Sequence, residues 1–113
     1  MAKAAKETRI KKETKRLLGI FEDMDPNKLE AVKALIDRLA FITVNLQDLE
    51  EDLLVEGWVE EYTNGANQAG VKKSAKAEVH ISLTKNLNAL TKQLLDIVPA
   101  AQRKSKLQEM MTR

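Results

Sequence analysis

The fold is decided by a long central stretch, residues 25–57, which reads DPNKLEAVKALIDRLAFITVNLQDLEEDLLVEG. Its apolar side chains recur in steps of three and four, at Val32, Leu35, Leu39, Ile42, Leu46, Leu49 and Leu53. This is the spacing of one helix face. Asp25 suits an N-cap, Pro26 suits the first helical position, and Gly57 suits the end. The sequence therefore predicts a helix over about residues 26–56. Its length of roughly 45 Å exceeds the diameter of a compact globule of this size, so the shape should be elongated.

A second apolar seam follows, with Leu83, Leu87, Leu90, Leu94 and Ile97 again in steps of four and three. Ser74 is a plausible N-cap, and Val98-Pro99 ends the segment, which predicts a helix over about residues 74–98. Residues 57–73 show no useful periodicity and are predicted to form a long loop. The two helices should fold back on each other as an antiparallel hairpin. We expect the seams to supply an interface between copies of the chain, through Leu35, Leu39, Ile42, Leu46, Leu49, Leu53, Leu83, Leu87, Leu90 and Leu94.

Two shorter segments flank this hairpin, which spans residues 23–98. Residues 1–22 predict a basic amphipathic helix whose apolar face includes Ile10, Leu17 and Phe21. Residues 99–113 form a basic segment with a short helix, whose apolar side is Leu107, Met110 and Met111. The expected fold is all-α: an elongated antiparallel helical hairpin with a basic N-terminal helix and a short C-terminal helix, assembled into a ring-like homo-oligomer.

Composition excludes several kinds of site. The chain has 113 residues, no Cys and one His, so it has no disulfide, no thiolate zinc site and no cysteine nucleophile. No apolar run approaches the roughly 18 residues that would span a bilayer, and the basic N-terminus lacks the apolar region of a secretory signal. Aromatic residues make up only 4%, which predicts a modest core completed by oligomerisation.

The net charge of +2 hides a polarised distribution. Residues 1–16 carry net +5, residues 17–61 carry net −9, and both residues 62–98 and 99–113 carry net +3. Basic ends suit an anionic partner such as nucleic acid. The alternative is that opposite segments pair between protomers, or that the basic end is simply solvated.

Two basic clusters are the candidate DNA-binding residues. The first consists of Lys3, Lys6, Arg9, Lys11, Lys12, Lys15 and Arg16, and the second of Lys72, Lys73 and Lys76. Seven phosphate contacts would give a log–log salt dependence with a slope of roughly −6. The sequence contains no clear helix-turn-helix, so this binding would tolerate many DNA sequences.

The sequence contains no convincing catalytic or metal site. His80 is the single histidine, and Glu78 cannot face it on a helix because residues two apart point apart. Asp48, Asp52 and Glu56 share a helix face and favour an acidic strip over a closed cation site. The loop from Gly65 to Ser74 lacks the Lys that follows the second Gly of a P-loop. We therefore predict no catalytic residues, no metal and no cofactor.

From Tyr62 to Ser74 the chain reads YTNGANQAGVKKS, and Lys85, Leu90 and the run Leu94 to Arg103 follow in order. This arrangement resembles the bacteriophage terminase small subunits, in which a Tyr, an Asn-Gly, a Gln-x-Gly-x-Lys stretch, a Lys-rich helix, a turn with Pro and an Arg-rich end succeed one another. The resemblance covers about residues 58–107. The family's Gly in the turn is Leu95 or Asp96 here, and its Ser before Arg is Gln102.

The resemblance implies a function that composition does not. Small terminase subunits recognise viral DNA, assemble as rings, and recruit or regulate the large subunit that holds the ATPase and nuclease. The expected partners are thus viral DNA, the terminase large subunit and further copies of the chain, with no membrane, in the cytoplasm of an infected bacterial host. The alternative is a structural or regulatory coiled-coil protein that associates with itself and binds no nucleic acid.

Overall fold

A computed structural model describes residues 2–63, 65 and 68–112, with side chains from residue 5 onward. The described elements are α1 (Ala2–Ile20), α2 (Leu29–Glu56), β1 (Val59–Thr63), β2 (Ala69–Lys73), α3 (Ala75–Ile97), a 3₁₀ turn (Ala100–Gln102) and α4 (Arg103–Met111). The molecule measures 63 × 34 × 22 Å, which confirms the elongated shape. It is mostly helical, as predicted, but the small sheet makes the all-α description only approximate.

Helix α2 is the axis of the molecule, and both α1 and α3 pack against it. Lys76 near the start of α3 meets Glu56 near the end of α2, while His80, one turn on, meets Glu50. Contacts that run in opposite order along two helices make the pair antiparallel. The predicted helical hairpin is therefore present.

The start of α2 differs from the prediction. Asp25 does not cap the regular helix: its Oδ1 accepts the backbone N–H of Asn27 at 3.0 Å, and its carbonyl accepts from Lys28 at 2.8 Å. These bonds close a turn over Pro26, and the regular helix begins only at Leu29. Asp and Asn side chains favour such local bonds, which compete with helix formation.

The end of α2 and the start of α3 follow the sequence signals. Gly57 adopts φ 81°, a region that favours glycine, and its N–H bonds to the carbonyl of Leu53 at 2.9 Å. Ser74 caps α3, because its Oγ accepts the N–H of Ala77 at 3.0 Å. Helix α3 ends at Ile97, directly before Val98-Pro99.

The predicted loop over residues 57–73 is wrong for its two flanks, which form an antiparallel β-hairpin. Val59 pairs with Lys73, Glu61 with Val71, and Thr63 with Ala69. The side chain of Tyr62 lies against its partner Gly70, where a Cβ would stand 2.9 Å from the phenolic oxygen. Because Gly70 has no side chain, the ring can cover the backbone there.

The core gathers at the end of the molecule opposite the β-hairpin. Side chains from all four helices and their connections meet there: Leu17, Phe21, Met24, Val32, Ile36, Leu39, Leu94, Val98 and Met110. On α2, the apolar side chains of Leu54 and Val55 stay 84% and 88% exposed and lie outside the buried seam. The elongated shape leaves much of the helical surface without a second layer.

Helix α4 closes this core with a face that differs from the predicted one. Met110 is buried, as expected, but Met111 is 76% exposed and Leu107 is partly exposed. Lys106 takes the second buried position, 8% exposed. Lys106 and Met110 are one turn apart on the same face, so α4 turns this pair inward instead of its predicted apolar side.

Candidate nucleic-acid interface

Three lysines of the first basic cluster form a solvent-facing cationic stripe on α1. Lys11, Lys12 and Lys15 are all exposed, and none forms an ion pair with a described residue. At 100° per residue they lie within an arc of about 100° around the helix. The opposite side of α1 carries buried Leu17, and buried Phe21 follows directly after the helix, so both hold α1 on the core and leave the lysines outward. We call Lys11, Lys12 and Lys15 the α1 lysine stripe.

Two other basic residues of α1 face the protein instead. Arg9 donates to the Asp48 carboxylate at 2.6 Å and to the side-chain oxygen of Gln47 at 3.0 Å. Lys6 lies 3.2 Å from the second carboxylate oxygen of Asp48. The hydrogen bond from Arg9, reinforced by Lys6, holds the pKa of the Asp48 carboxyl below its ordinary value of 3.8. These two cations fasten α1 to α2, so a phosphate would have to compete with Asp48 for them.

Arg16 binds the end of another helix. Its guanidinium pairs with Glu13 at 2.8 Å and donates to the carbonyl of Met110 at 2.9 Å, at the C-terminus of α4. The hydrogen bond to Glu13 raises the pKa of Arg16 above its ordinary value. A guanidinium at the negative end of a helix is favourable. Arg16 therefore acts as a clamp between α1 and α4. Lys3, the first residue of the predicted cluster, lies outside the described side chains.

The second basic cluster lies at the base of the β-hairpin and is mostly engaged. Lys76 contacts Glu56 at 2.7 Å and Asp52 at 3.3 Å, and these carboxylates, Glu56 foremost, raise the pKa of Lys76 above 10.5. Lys72 pairs across the strands with Glu60 at 3.6 Å and stands 6.0 Å from the centre of the Tyr62 ring. Lys73 is exposed and forms no ion pair with a described residue.

The structure does not join the two clusters into one surface. Lys11 and Lys15 border a shallow groove with Asp37 and Phe41 of α2, whereas Lys76 meets α2 at Asp52 and Glu56. About fifteen residues of helix separate these points, which is roughly 22 Å along the axis. The α1 lysine stripe is thus the larger group of unengaged cations among the predicted DNA-binding residues.

The acidic strip of α2 finds its partners within the same chain. Asp48 is neutralised by Lys6 and Arg9, and Asp52 and Glu56 by Lys76. The single histidine, His80, lies edge-on to Trp58, with ring centres 5.1 Å apart, and contacts Glu50 at 3.1 Å. Residues 2–63, 65 and 68–112 contain no group of three or more side chains suited to hold a metal. None of the described helices is long and apolar enough to cross a membrane.

The leucines predicted to join copies of the chain divide into two groups. Leu39, Leu46, Leu53, Leu94 and Ile42 are buried within the single chain. Leu35, Leu49, Leu83, Leu87 and Leu90 keep part of their surface exposed. Leu83 and Leu90 line an open groove of about 850 Å³ between α2 and α3, beside Phe41, which is 56% exposed. Only this second group has surface to offer another copy.

Sequence reasoning missed the structural role of two cations in the C-terminal segment. Lys106 donates to the carbonyl of Ile20 at 2.6 Å and to Asp23 at 2.9 Å. Arg103 donates to the carbonyls of Leu95 and Val98 at 2.9 and 3.1 Å. Arg103 caps the end of the preceding helix, eight positions earlier, whereas Lys106 caps the end of α1, 86 positions away, and no local motif marks that distant contact.

Comparison with known proteins adds no relative: no family model, no curated protein and no solved structure matches this chain.

Proposed function

We propose that this chain is the small, non-catalytic subunit of a phage terminase, an oligomeric adaptor that binds viral DNA and recruits or regulates the large ATPase and nuclease subunit. The observation that carries the proposal is the α1 lysine stripe, where three ammonium groups face solvent with no carboxylate partner among the described residues. The ordered residues from Tyr62 to Arg103 that resemble this family point to the same function.

The engaged cations refine the expected binding mode. Lys6, Arg9 and Arg16 already bind carboxylates or helix carbonyls, which leaves Lys11, Lys12 and Lys15, among the described side chains of α1, for phosphates. Three phosphate contacts in each chain give a log–log salt slope of about −2.7 per bound subunit, shallower than the seven-contact expectation. Several subunits acting on one duplex would multiply this slope.

The test is binding to random-sequence duplex DNA, followed by fluorescence anisotropy between 50 and 300 mM KCl. The triple variant Lys11→Gln, Lys12→Gln, Lys15→Gln should bind at least about tenfold more weakly at 100 mM salt, with a flatter salt dependence. The matched control is Lys85→Gln, Lys92→Gln, Lys104→Gln. It removes the same charge from exposed sites on α3 and α4 and should keep the wild-type slope.

Equal weakening by the two triple variants would contradict a defined interface on α1. Wild-type binding that does not change with salt would contradict phosphate recognition altogether. An assembled chain that binds no DNA in 50 mM salt would favour the alternative function, a self-associating structural or regulatory protein.

A further inference from the structure

The β-hairpin is the least supported element of the described structure. Every residue of β1 is exposed, and β2 has only Gly70 partly covered. The strands pair with each other alone, as a two-stranded sheet. Such a hairpin has little stability by itself in water and normally needs a third strand or a packing surface. This raises the question of what completes it.

Both edges of the hairpin present backbone groups without a partner in the sheet. The N–H of Ser74 bonds to the carbonyl of Trp58 at 3.0 Å, which makes this opposed pair a hydrogen-bonded one. Antiparallel pairs alternate between hydrogen-bonded and open. The outward backbone groups are therefore those of Val59, Glu61 and Thr63 on β1, and of Ala69, Val71 and Lys73 on β2.

The charges of the two strands differ in sign. Strand β1 carries Glu60 and Glu61, and strand β2 carries Lys72 and Lys73. Two β1 edges brought together would oppose carboxylates, and two β2 edges would oppose ammonium groups, and both arrangements are unfavourable. An edge that serves only to prevent strand addition could carry lysine on both strands. Here the charge pattern disfavours β1–β1 and β2–β2 contacts and favours a contact between a β1 edge and a β2 edge.

We propose that the β1 edge of one copy pairs antiparallel with the β2 edge of the next copy, so that successive hairpins form one continuous sheet. This deepens the self-association that is part of the proposed function and rests on it. Within a hairpin β1 and β2 run in opposite directions, so placing β2 beside the next β1 keeps all copies in the same orientation. Such a head-to-tail contact closes into a ring when the rotation between copies allows it.

The exposed valines support the same arrangement. Val59 and Val71 lie on one face of the hairpin and are 58% and 63% exposed. When the register within the hairpin repeats between copies, Val59 of one copy becomes a diagonal neighbour of Val71 in the next. Diagonal pairs of this kind lie within side-chain reach. The contact then buries apolar surface as well as satisfying the backbone.

Proline can block each edge separately. Glu61→Pro removes an outward N–H of β1, and Val71→Pro removes one of β2, while neither N–H bonds within the hairpin; proline is tolerated at such edge positions. In native mass spectrometry we expect each variant alone to lose the wild-type assembly. An equimolar mixture should form a 1:1 heterodimer, because Glu61→Pro keeps an open β2 edge and Val71→Pro keeps an open β1 edge. The controls Glu61→Thr and Val71→Thr keep the N–H and should assemble like wild type.

Hydrogen exchange of the wild-type chain provides a second readout that does not depend on how a variant folds. In the assembly, the outward amides of Glu61 and Val71 should exchange at least about tenfold more slowly than in the dilute monomer. The proposal is overturned if these amides exchange equally fast in both states, if the proline variants assemble like wild type, if their mixture gives no heterodimer, or if the wild-type chain stays monomeric.

These measurements contain no DNA, so their outcome is separate from that of the DNA-binding test. The triple glutamine variant of the α1 lysine stripe should assemble like wild type, because α1 does not contribute to the hairpin edges. Loss of DNA binding with intact assembly would contradict only the DNA-binding proposal. Loss of assembly with intact DNA binding would contradict only the edge pairing.

Discussion

At the scale of single residues, three cations hold the ends of helices together. Lys106 binds the carbonyl of Ile20 at the end of α1, Arg16 binds that of Met110 at the end of α4, and Arg103 binds that of Leu95 near the end of α3. Helix C-termini carry partial negative charge and unpaired carbonyls, so a positive donor there is doubly favourable. These contacts tie α4 to the rest of the molecule.

Lys106 is the most buried of these cations, and its replacement tests how much its contacts with Ile20 and Asp23 stabilise the fold. Lys106→Met keeps most of the apolar stem but removes both hydrogen bonds, to Ile20 and to Asp23. We expect the free energy of unfolding to fall by about 1–3 kcal/mol, measured by urea denaturation at pH 7. Lys104→Met, at an exposed position on the same helix, should change it by less than about 0.5 kcal/mol. Equal losses of unfolding free energy in the two variants would show that the hydrogen bonds of Lys106 do not stabilise the fold.

The same variant has a pH signature. The ammonium of Lys106 holds the pKa of the Asp23 carboxyl below its ordinary value of 3.8, whereas in the unfolded chain this pKa is ordinary. The resulting stabilisation is fully present above the unfolded value and is lost as the pH falls through the lower, folded value. The stability gap between wild type and Lys106→Met should therefore narrow below about pH 4. A gap that stays constant down to pH 2 would contradict this coupling.

At the scale of elements, the β-hairpin depends on one close contact between a ring and a glycine. Tyr62 covers Gly70 so closely that an added Cβ would lie 2.9 Å from the phenolic oxygen and 3.0 and 3.1 Å from two ring carbons. Lys72 then lies over the same ring. The order of this face of the hairpin therefore follows from the absence of a side chain at position 70.

Two glycine-to-alanine substitutions should have different effects, because one crowds a neighbouring side chain and the other does not. Gly70→Ala should displace the Tyr62 ring and weaken the near-UV circular dichroism of the hairpin. Gly19→Ala lies in α1 with nothing within 4 Å of the added Cβ, and should raise the free energy of unfolding by about 0.5–1 kcal/mol. Helical content should stay the same in both variants. An unchanged near-UV spectrum for Gly70→Ala would mean that the ring does not need the bare backbone.

The helix ends could be predicted from the sequence, whereas the two strands could not, and the difference lies in the local sequence signals. The ends at Gly57, Ser74 and Pro99 follow from residues that act on their immediate neighbours. The strands were missed although Asn64-Gly65 is a turn signal and Val59, Tyr62, Thr63 and Val71 favour strands. Both strands are only five residues long and exposed on both faces, so they lack the alternation of apolar and polar residues that marks a buried strand.

At the scale of the whole molecule, the core is concentrated at one end, and the two seams contribute to it unequally. Leu94 is fully buried among α1, α2 and the final segment, while Leu90, one turn earlier, is partly exposed beside the groove. The same residue type in the same seam therefore has two surroundings. In this elongated packing, the main hydrophobic cluster lies where α1 and α4 cover the pair formed by α2 and α3.

Replacing each of these two leucines by alanine should destabilise the protein to different extents, because only Leu94 is fully buried. Leu94→Ala should lower the free energy of unfolding by about 2–5 kcal/mol, because it leaves a cavity that four helices enclose. Leu90→Ala should cost less than about half of that under the dilute conditions in which the chain is monomeric. Thermal or urea unfolding of both variants provides the measurement. A larger effect at Leu90 would place the core elsewhere.

The long helices, their ends at Gly57, Ser74 and Pro99, the elongated shape and the uneven charge follow from the sequence alone, because periodicity and capping act over a few neighbouring residues. Tertiary structure decided which of these features face outward. Among the seam leucines, Leu39 and Leu53 are buried internally while Leu83 and Leu90 line an open groove. Among the α1 cations, Arg9 and Arg16 bind protein groups while Lys11, Lys12 and Lys15 face solvent. These outcomes depend on which distant segments meet, and Asp48 and Met110 lie 39 and 94 positions from the arginines that bind them.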